Sequence, residues 1–239
     1  FLSPIFLPGA TPVPLRRRNH ISEINVLEGD SKRYIYGLPV YTKIQKQATF
    51  SVNPSQLPDA KNEIPINANQ NTISNPEAIT DQFFQSETIG SYPSSFLLTA
   101  ILSPDYIDVK GDGITEDDPG TAIKFNYSYA SRLSTNEVNF YKWRYPLIGN
   151  KATFNNGLKT DFRDNKGNYS YGEKELWYLH SIESKNMVVT FRVSKREDGW
   201  GVANENGNRG EIACQRKLDR IDLYTKADFV KYNEDPIHD

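Results

Sequence analysis

The stretch that most constrains this chain is residues 169–199, YSYGEKELWYLHSIESKNMVVTFRVSKREDG. Residues 175–182 are crowded with large side chains: Leu176, Trp177, Tyr178, Leu179 and Ile182. Glu183-Ser184-Lys185-Asn186 then reads as a turn, because Ser and Asn hydrogen-bond their own backbone and tolerate turn geometry. After it, Met187, Val189, Phe191 and Val193 alternate with Val188, Thr190 and Arg192. A period of two is that of a pleated strand with one buried face. The charged run Lys195-Arg196-Glu197-Asp198-Gly199 reads as the end of that strand. An antiparallel hairpin is the expectation, with 175–182 and 187–193 as neighbours.

Similar signals recur along the chain. Ile21, Ile24 and Val26 run into the turn Glu28-Gly29-Asp30-Ser31, and residues 33–36, 40–41, 47–52, 123–129, 138–144 and 217–225 read as further strands. Residues 92–102 are apolar over a length that leaves strand and helix both open, and the flanking Pro93 and Pro104 favour a buried strand. Residues 150–168 and 204–210 read as loops. Residues 53–89 are rich in Pro, Asn, Gln and Ser and read as a long surface insertion, with 76–86 as a short helix capped by Asn75. Before residue 20, Pro4, Pro8, Pro12 and Pro14 stand among apolar residues, so this arm is expected to be extended and to need a surface to lie on. The predicted fold is all-β: mainly antiparallel sheets, sandwich-like or part of a β-shell, with long loops and at most one or two short helices. The organisation is an extended arm at 1–20 and a single β-rich domain at 21–239, with the insertion at 53–89.

Charge and cysteine content remove several function classes. The formal net charge is -2, so no broad basic field draws in nucleic acid or anionic lipid; Arg16-Arg17-Arg18 is a local cluster. Cys214 is the one cysteine, which leaves no internal disulfide framework and no Cys-based zinc site. No apolar run reaches the roughly 18 residues of a bilayer span. The chain starts at Phe1, with nothing shaped like a signal peptide, which suggests a processed or excised piece of a larger protein.

Three groups of residues could carry chemistry. The acidic stretch 105–118 places carboxylates beside Gly111 and Gly113, as a hard cation requires, with oxygens converging to roughly 2.3–2.6 Å. A loop counted from Asp108 has Asp112 and Gly113 in register for an EF-hand. However, Lys110 stands at a ligand position and Pro119 where the bidentate Glu belongs. A looser calcium site from Asp108, Asp112, Glu116 and Asp118 is the expectation left, against a charged surface turn. Trp143, Trp177 and Trp200 could form a sugar-stacking platform or fill the core. Glu173 and Glu175 share a strand face, the pattern of a glycosidase pair or of solvated charges at a strand entry. His20, His180 and His238 are far apart in sequence, and His180 reads as a sheet-face residue. No nucleophile elbow, phosphate-binding Gly loop or HExxH motif is present, so no catalytic residue is assigned.

Four segments carry a resemblance: RYIYGLPVY at 33–41, LSPDYIDVKGDGITEDDPGTAIKFNY at 102–127, YSYGEKELWYLHSIESK at 169–185 and KLDRIDLYTK at 217–226. In order and rough spacing they resemble segments of the very large Rhs or YD-repeat-associated surface proteins of Bacteroidetes-type bacteria. The resemblance runs from about Ile21 onward and leaves out the arm and the insertion. It implies a β-rich shell that in toxin relatives encloses an effector, and hence a non-catalytic scaffold segment, secreted and displayed at the cell surface. Its implied partner is the remainder of the parent polypeptide or another protein chain. The chain lacks tandem YD repeats, which places it outside a repeat array. A carbohydrate-binding or adhesive module and a glycoside hydrolase are the alternatives.

Overall fold

The computed structural model describes residues 17–52, 59–66, 83–129, 140–147, 149–154 and 164–234. The arm at residues 1–16, His238 and residues 76–82 of the expected helix lie outside them. The strands are β1 (Ile24–Leu27), β2 (Arg33–Tyr36), β3 (Leu38–Ser51), β4 (Glu63–Pro65), β5 (Phe84–Ile89), β6 (Tyr92–Leu97) and β7 (Ala100–Leu102). They continue with β8 (Ala122–Tyr129), β9 (Tyr141–Tyr145), β10 (Lys151–Phe154), β11 (Lys166–Lys174), β12 (Trp177–Glu183), β13 (Met187–Val202) and β14 (Arg209–Thr225), and helix α1 (Lys226–Glu234) closes the described chain. All ladders are antiparallel, so the fold is mainly antiparallel β. The first sheet has the order β1-β2-β7-β8-β12-β13-β14. In the second, β4-β10-β11-β3-β5 form the main path, β6 extends β5's side of β3, and β9 extends β10's side of β11.

The chain alternates between the two sheets instead of completing one before starting the other. At three described points it passes directly across: Tyr36-Gly37-Leu38, residues 97–100 and residues 174–177. The first two crossings lie side by side, because Ile35 pairs with Ala100 and Leu38 with Leu97. Thr99 fastens them. Its N–H and hydroxyl donate to the Ile35 carbonyl at 2.7 and 3.0 Å, its hydroxyl accepts from Gly37 N–H at 3.1 Å, and its carbonyl accepts from Phe125 N–H at 2.9 Å. A Cβ at Gly37 would stand 2.8 Å from the Thr99 hydroxyl, which is why a residue without a side chain occupies this bend. At the third crossing Glu175 is the fastener. Its N–H donates to the Tyr41 carbonyl at 2.9 Å, and its carboxylate accepts from Tyr41 N–H at 2.9 Å and Trp177 Nε1 at 3.3 Å.

The expected hairpin forms, with Ser181 opposite Thr190, Ile182 opposite Val189 and Glu183 opposite Val188. The turn at Glu28–Ser31 also forms, closed by Ser31 N–H on the Glu28 carbonyl. Other expectations are corrected. The charged run at 195–199 does not end its strand: β13 continues to Val202. Lys195 opposes Arg216 and Trp200 opposes Cys214, so the run is a bulge that places extra residues against β14. Residues 92–102 are two strands in different sheets, broken at the Thr99 crossing. The insertion at 53–89 supplies β4 and β5 to the second sheet, and residues 84–86 are strand where a helix was expected. β10 lies inside the supposed loop 150–168. Pro39 lies within β3, where a break was read. Helix α1 was not foreseen, although Thr225 and Asp228 form a reciprocal cap, the hydroxyl donating to the Asp228 carboxylate at 2.6 Å and accepting its N–H at 3.2 Å.

Packing differs between the sheets. In the second, Ala48, Phe50, Val52, Ile64, Ile66, Ala152 and Tyr169 form one buried cluster. In the first, register across the ladders assigns the faces, since directly opposed residues point the same way. One face carries Ile35, Ala100, Leu102, Ala122, Lys124, Asn126, Ser181, Glu183, Val188 and Asp222. Tyr106 and Ile114 cover part of it, and α1 lays Phe229 against Tyr224. The other face carries Val26, Tyr34, Ile101, Ile123, Phe125, Ile182, Val189 and Leu223, an apolar row from the β1 edge to the β14 edge. This row is the exposed one. Val188 on the covered face is 1% exposed, whereas Leu223 and Ile221 on the open face are 64% and 54% exposed. Of the two alternating sets, Met187, Val189, Phe191 and Val193 are half-buried or exposed, and their alternates face the covered side.

Candidate functional site

The acidic stretch folds as a loop organised on Asp118, which is 5% exposed. Its carboxylate accepts from the Tyr106 hydroxyl at 2.7 Å, Thr115 N–H at 3.0 Å and Val109 N–H at 3.2 Å. The Thr115 amide, then the Tyr106 hydroxyl, hold its carboxyl below the usual range, while burial and the carboxylate push the Tyr106 phenol up. The other carboxylates are engaged separately. Asp108 accepts from Gly111 and Gly113 N–H at 2.7 and 3.1 Å, and Glu116 pairs with Lys226 at 2.6 Å. Asp112 is exposed. Among the described residues no three His, Cys, Asp or Glu side chains converge as a metal-ligand set. The clustering of Asp108, Asp112, Glu116 and Asp118 seen in sequence thus resolves into amide-capped Asp108 and Asp118, a lysine-paired Glu116 and an exposed Asp112. The pocket beside this loop is lined by Lys124, Lys185 and Lys226 together with Glu116, Asp118 and Glu183, so its charges balance.

The three tryptophans have separate tasks. Trp143 on β9 opposes Gly172 on β11, and a Cβ at Gly172 would fall 2.6 Å from the indole, so the ring fills the space the glycine leaves. Trp177 meets Tyr129 edge-on at 5.1 Å. The Trp200 ring carries Arg209 at 5.1 Å and Lys195 at 5.7 Å from its centroid, with its ring N–H buried. Glu173 pairs with Lys43 at 2.7 Å and the Tyr171 hydroxyl at 2.6 Å, and Glu175 holds the crossing described above. Burial raises the Glu173 carboxyl, but these two partners outweigh it and leave it below the usual range. Both carboxylates are therefore committed to structural bonds. His180 is the extra residue in the β12–β8 ladder and is exposed; His20 stacks on Tyr41 at 5.7 Å and shares a 3.1 Å hydrogen bond with its hydroxyl. Cys214 is buried opposite Trp200.

Sequence reading missed the most heavily bonded buried charge, Arg144, which is 4% exposed. Its guanidinium donates to the carbonyls of Glu205 (2.7 Å), Lys151 (2.6 Å) and Pro146, and it lies over the Tyr169 ring at 5.1 Å. Burial pushes its pKa down. Glu205 completes the network, accepting from Lys46 and the Tyr169 hydroxyl, each at 2.7 Å. The five donors of an arginine suit a task that joins β9, β10 and the turn before β14. Only the residue type was visible in the sequence, since its partners are backbone carbonyls.

What remains as a surface with a capability is the open face of the first sheet, together with the outer edge of β14, which among the described strands pairs with β13 alone. Exposed apolar side chains continue along β14 through Leu218, Ile221 and Leu223. A contiguous apolar patch of this kind marks an interaction surface. No helix among the described residues is long and apolar enough to cross a membrane. Compared with protein-family models, with curated proteins and with solved structures, the chain matches none.

Proposed function

We propose that this chain is a non-catalytic scaffold segment of a large, secreted bacterial surface protein of Rhs-like kind, working by packing its first sheet against further protein of the same polypeptide. One observation carries the reading: the first sheet turns its apolar face outward, from Val26 to Leu223, and leaves the β14 edge unpaired among the described strands. An edge and an apolar face on the same sheet favour continuation by another β element, because edge amides find partners and side chains find a second layer. The commitment of Glu173, Glu175 and Asp118 to structural bonds agrees with a scaffold role. The test is light-scattering mass of the chain alongside a screen of glycan and ester substrates. A mass above that of one chain, with no turnover, is expected. A stable single chain that hydrolyses one of these substrates overturns the reading.

A further inference from the structure

We infer that the outer edge of β14 pairs with the same edge of a second copy of this chain, antiparallel, about a twofold axis at Ile221. The inference rests on the reading of the first sheet as a contact surface, and it names what the outer edge takes. β14 stands last in its sheet, and among the described strands it pairs with β13 alone. Lys217, Leu218, Asp219, Arg220, Ile221, Leu223 and Thr225 are exposed, so this length of the edge lies in water. An edge of this kind is a template for another strand.

The order of side chains selects the occupant. A twofold axis normal to the sheet keeps each face of one copy on the same side as that face of the other, and the residue on the axis opposes itself. With Ile221 on the axis, Ile221 meets Ile221 on the open face. One step out, on the covered face, Arg220 stands opposite Asp222 of the second copy, and symmetry gives this pair twice. The next step uses the bulge. Arg220 opposes Arg192 and Leu218 opposes Val193, which leaves Asp219 as the extra residue. Leu218 is thereby returned to the open face, where it stands opposite Leu223 of the second copy. Leu218, Ile221 and Leu223 are 53%, 54% and 64% exposed in the single chain, and all three gain apolar partners.

Neighbouring registers fail. With the axis at Asp219, Arg220 or Asp222, like charges stand directly opposite each other, which is destabilising. With the axis at Leu223, Arg220 meets Lys226. In the Ile221 register the charged pair is also preformed, since Arg220 lies 3.0 Å from Asp222 of its own chain.

The test uses the full chain with one reporter thiol, Ile221→Cys or Leu223→Cys, under mild oxidation; the native Cys214 is buried and serves as a slow reference. Circular dichroism checks that the fold is kept. Two thiols at position 221 face each other across the axis, within the span of a disulfide. Two thiols at position 223 stand four residues apart along the ladder, roughly 13 Å, which is out of reach. The Ile221→Cys chain should therefore cross-link into a two-chain species on the order of tenfold faster than the Leu223→Cys chain. A mixture of Leu218→Cys and Leu223→Cys chains should cross-link between the two kinds. Arg220→Asp should shift the light-scattering mass of concentrated chain toward one chain, and Arg220→Asp/Asp222→Arg should restore it. Equal cross-linking rates for Ile221→Cys and Leu223→Cys overturn the inference. If an assembly forms with those rates equal, another surface joins the chains: the inference fails and the scaffold reading stands. If the chain stays single, does not cross-link and hydrolyses a glycan or ester, both fail.

Discussion

Phe50 and Val189 hold equivalent positions in the two sheets, each on a long strand between two paired partners. Phe50 has Gly167 and Phe84 at its sides, and Val189 has Ile182 and Leu223. Phe50 is 0% exposed; Val189 is half-buried and its neighbour Leu223 lies mostly in water. The difference lies in the side chains that close around each one. Ile64, from a three-residue strand of the same sheet, joins Phe50 in one buried cluster, and the Phe50 ring lies within 2.8 Å of where a Cβ at Gly167 would stand. Over Val189 no such cluster forms among the described residues. Ladder pairing satisfies backbone amides, but only neighbouring side chains that close around a residue remove it from water, and the two sheets separate these contributions within one chain.

The sharpest test of that contrast is a pair of truncations. Phe50→Ala should destabilise by about 3–5 kcal/mol in denaturant unfolding, through lost transfer energy and the cavity left behind. Arg144→Met should cost about 3 kcal/mol, because the carbonyls of Glu205, Lys151 and Pro146 lose a buried donor. Gly172→Ala should cost about 2 kcal/mol by forcing the Trp143 indole off its seat, with a shift in tryptophan fluorescence as a second readout.

Asp118→Asn should lower the melting temperature at neutral pH by less than any of these. Its larger signature is in pH dependence. The Asp118 pKa is depressed in the fold, so its contribution is present above the unfolded carboxylate value and is lost as pH falls through the folded one. The acid limb of the stability profile, below about pH 4, should flatten in the variant. Smallest of all, Leu223→Ser should change stability by less than about 0.5 kcal/mol. If Leu223→Ser costs as much as Phe50→Ala, the open face is not open and the comparison between the sheets collapses.

Period was legible in the sequence; coverage was not. Met187 to Val193 announces a strand, and its partner and turn follow. Yet Val188 and Val189 are the same residue type, and nothing local says which of them meets a second layer. Helix α1 had a readable cap in Thr225 and Asp228, overlooked because residues 217–225 look so strongly like strand. β4 is three residues ending in Pro65, too short for any periodicity, and its burial depends on Ile64 reaching Phe50 across the sheet. In the acidic loop, carboxylates beside glycines suit a cation, but they suit backbone amides equally, and residue type and spacing do not choose between the two. Asp118 and Asp108 took the amides.

The crossings at Gly37, Thr99 and Glu175 have a mechanical consequence. Because the backbone itself runs through the joint, tension between the sheets is borne by covalent chain at several places at once, and the side-chain seam is spared. Neither sheet can be peeled away as a flap. Separation requires strands to slide along their ladders, breaking rows of hydrogen bonds together in shear. A unit built this way should carry a pull from one sheet to the other without opening the joint between them.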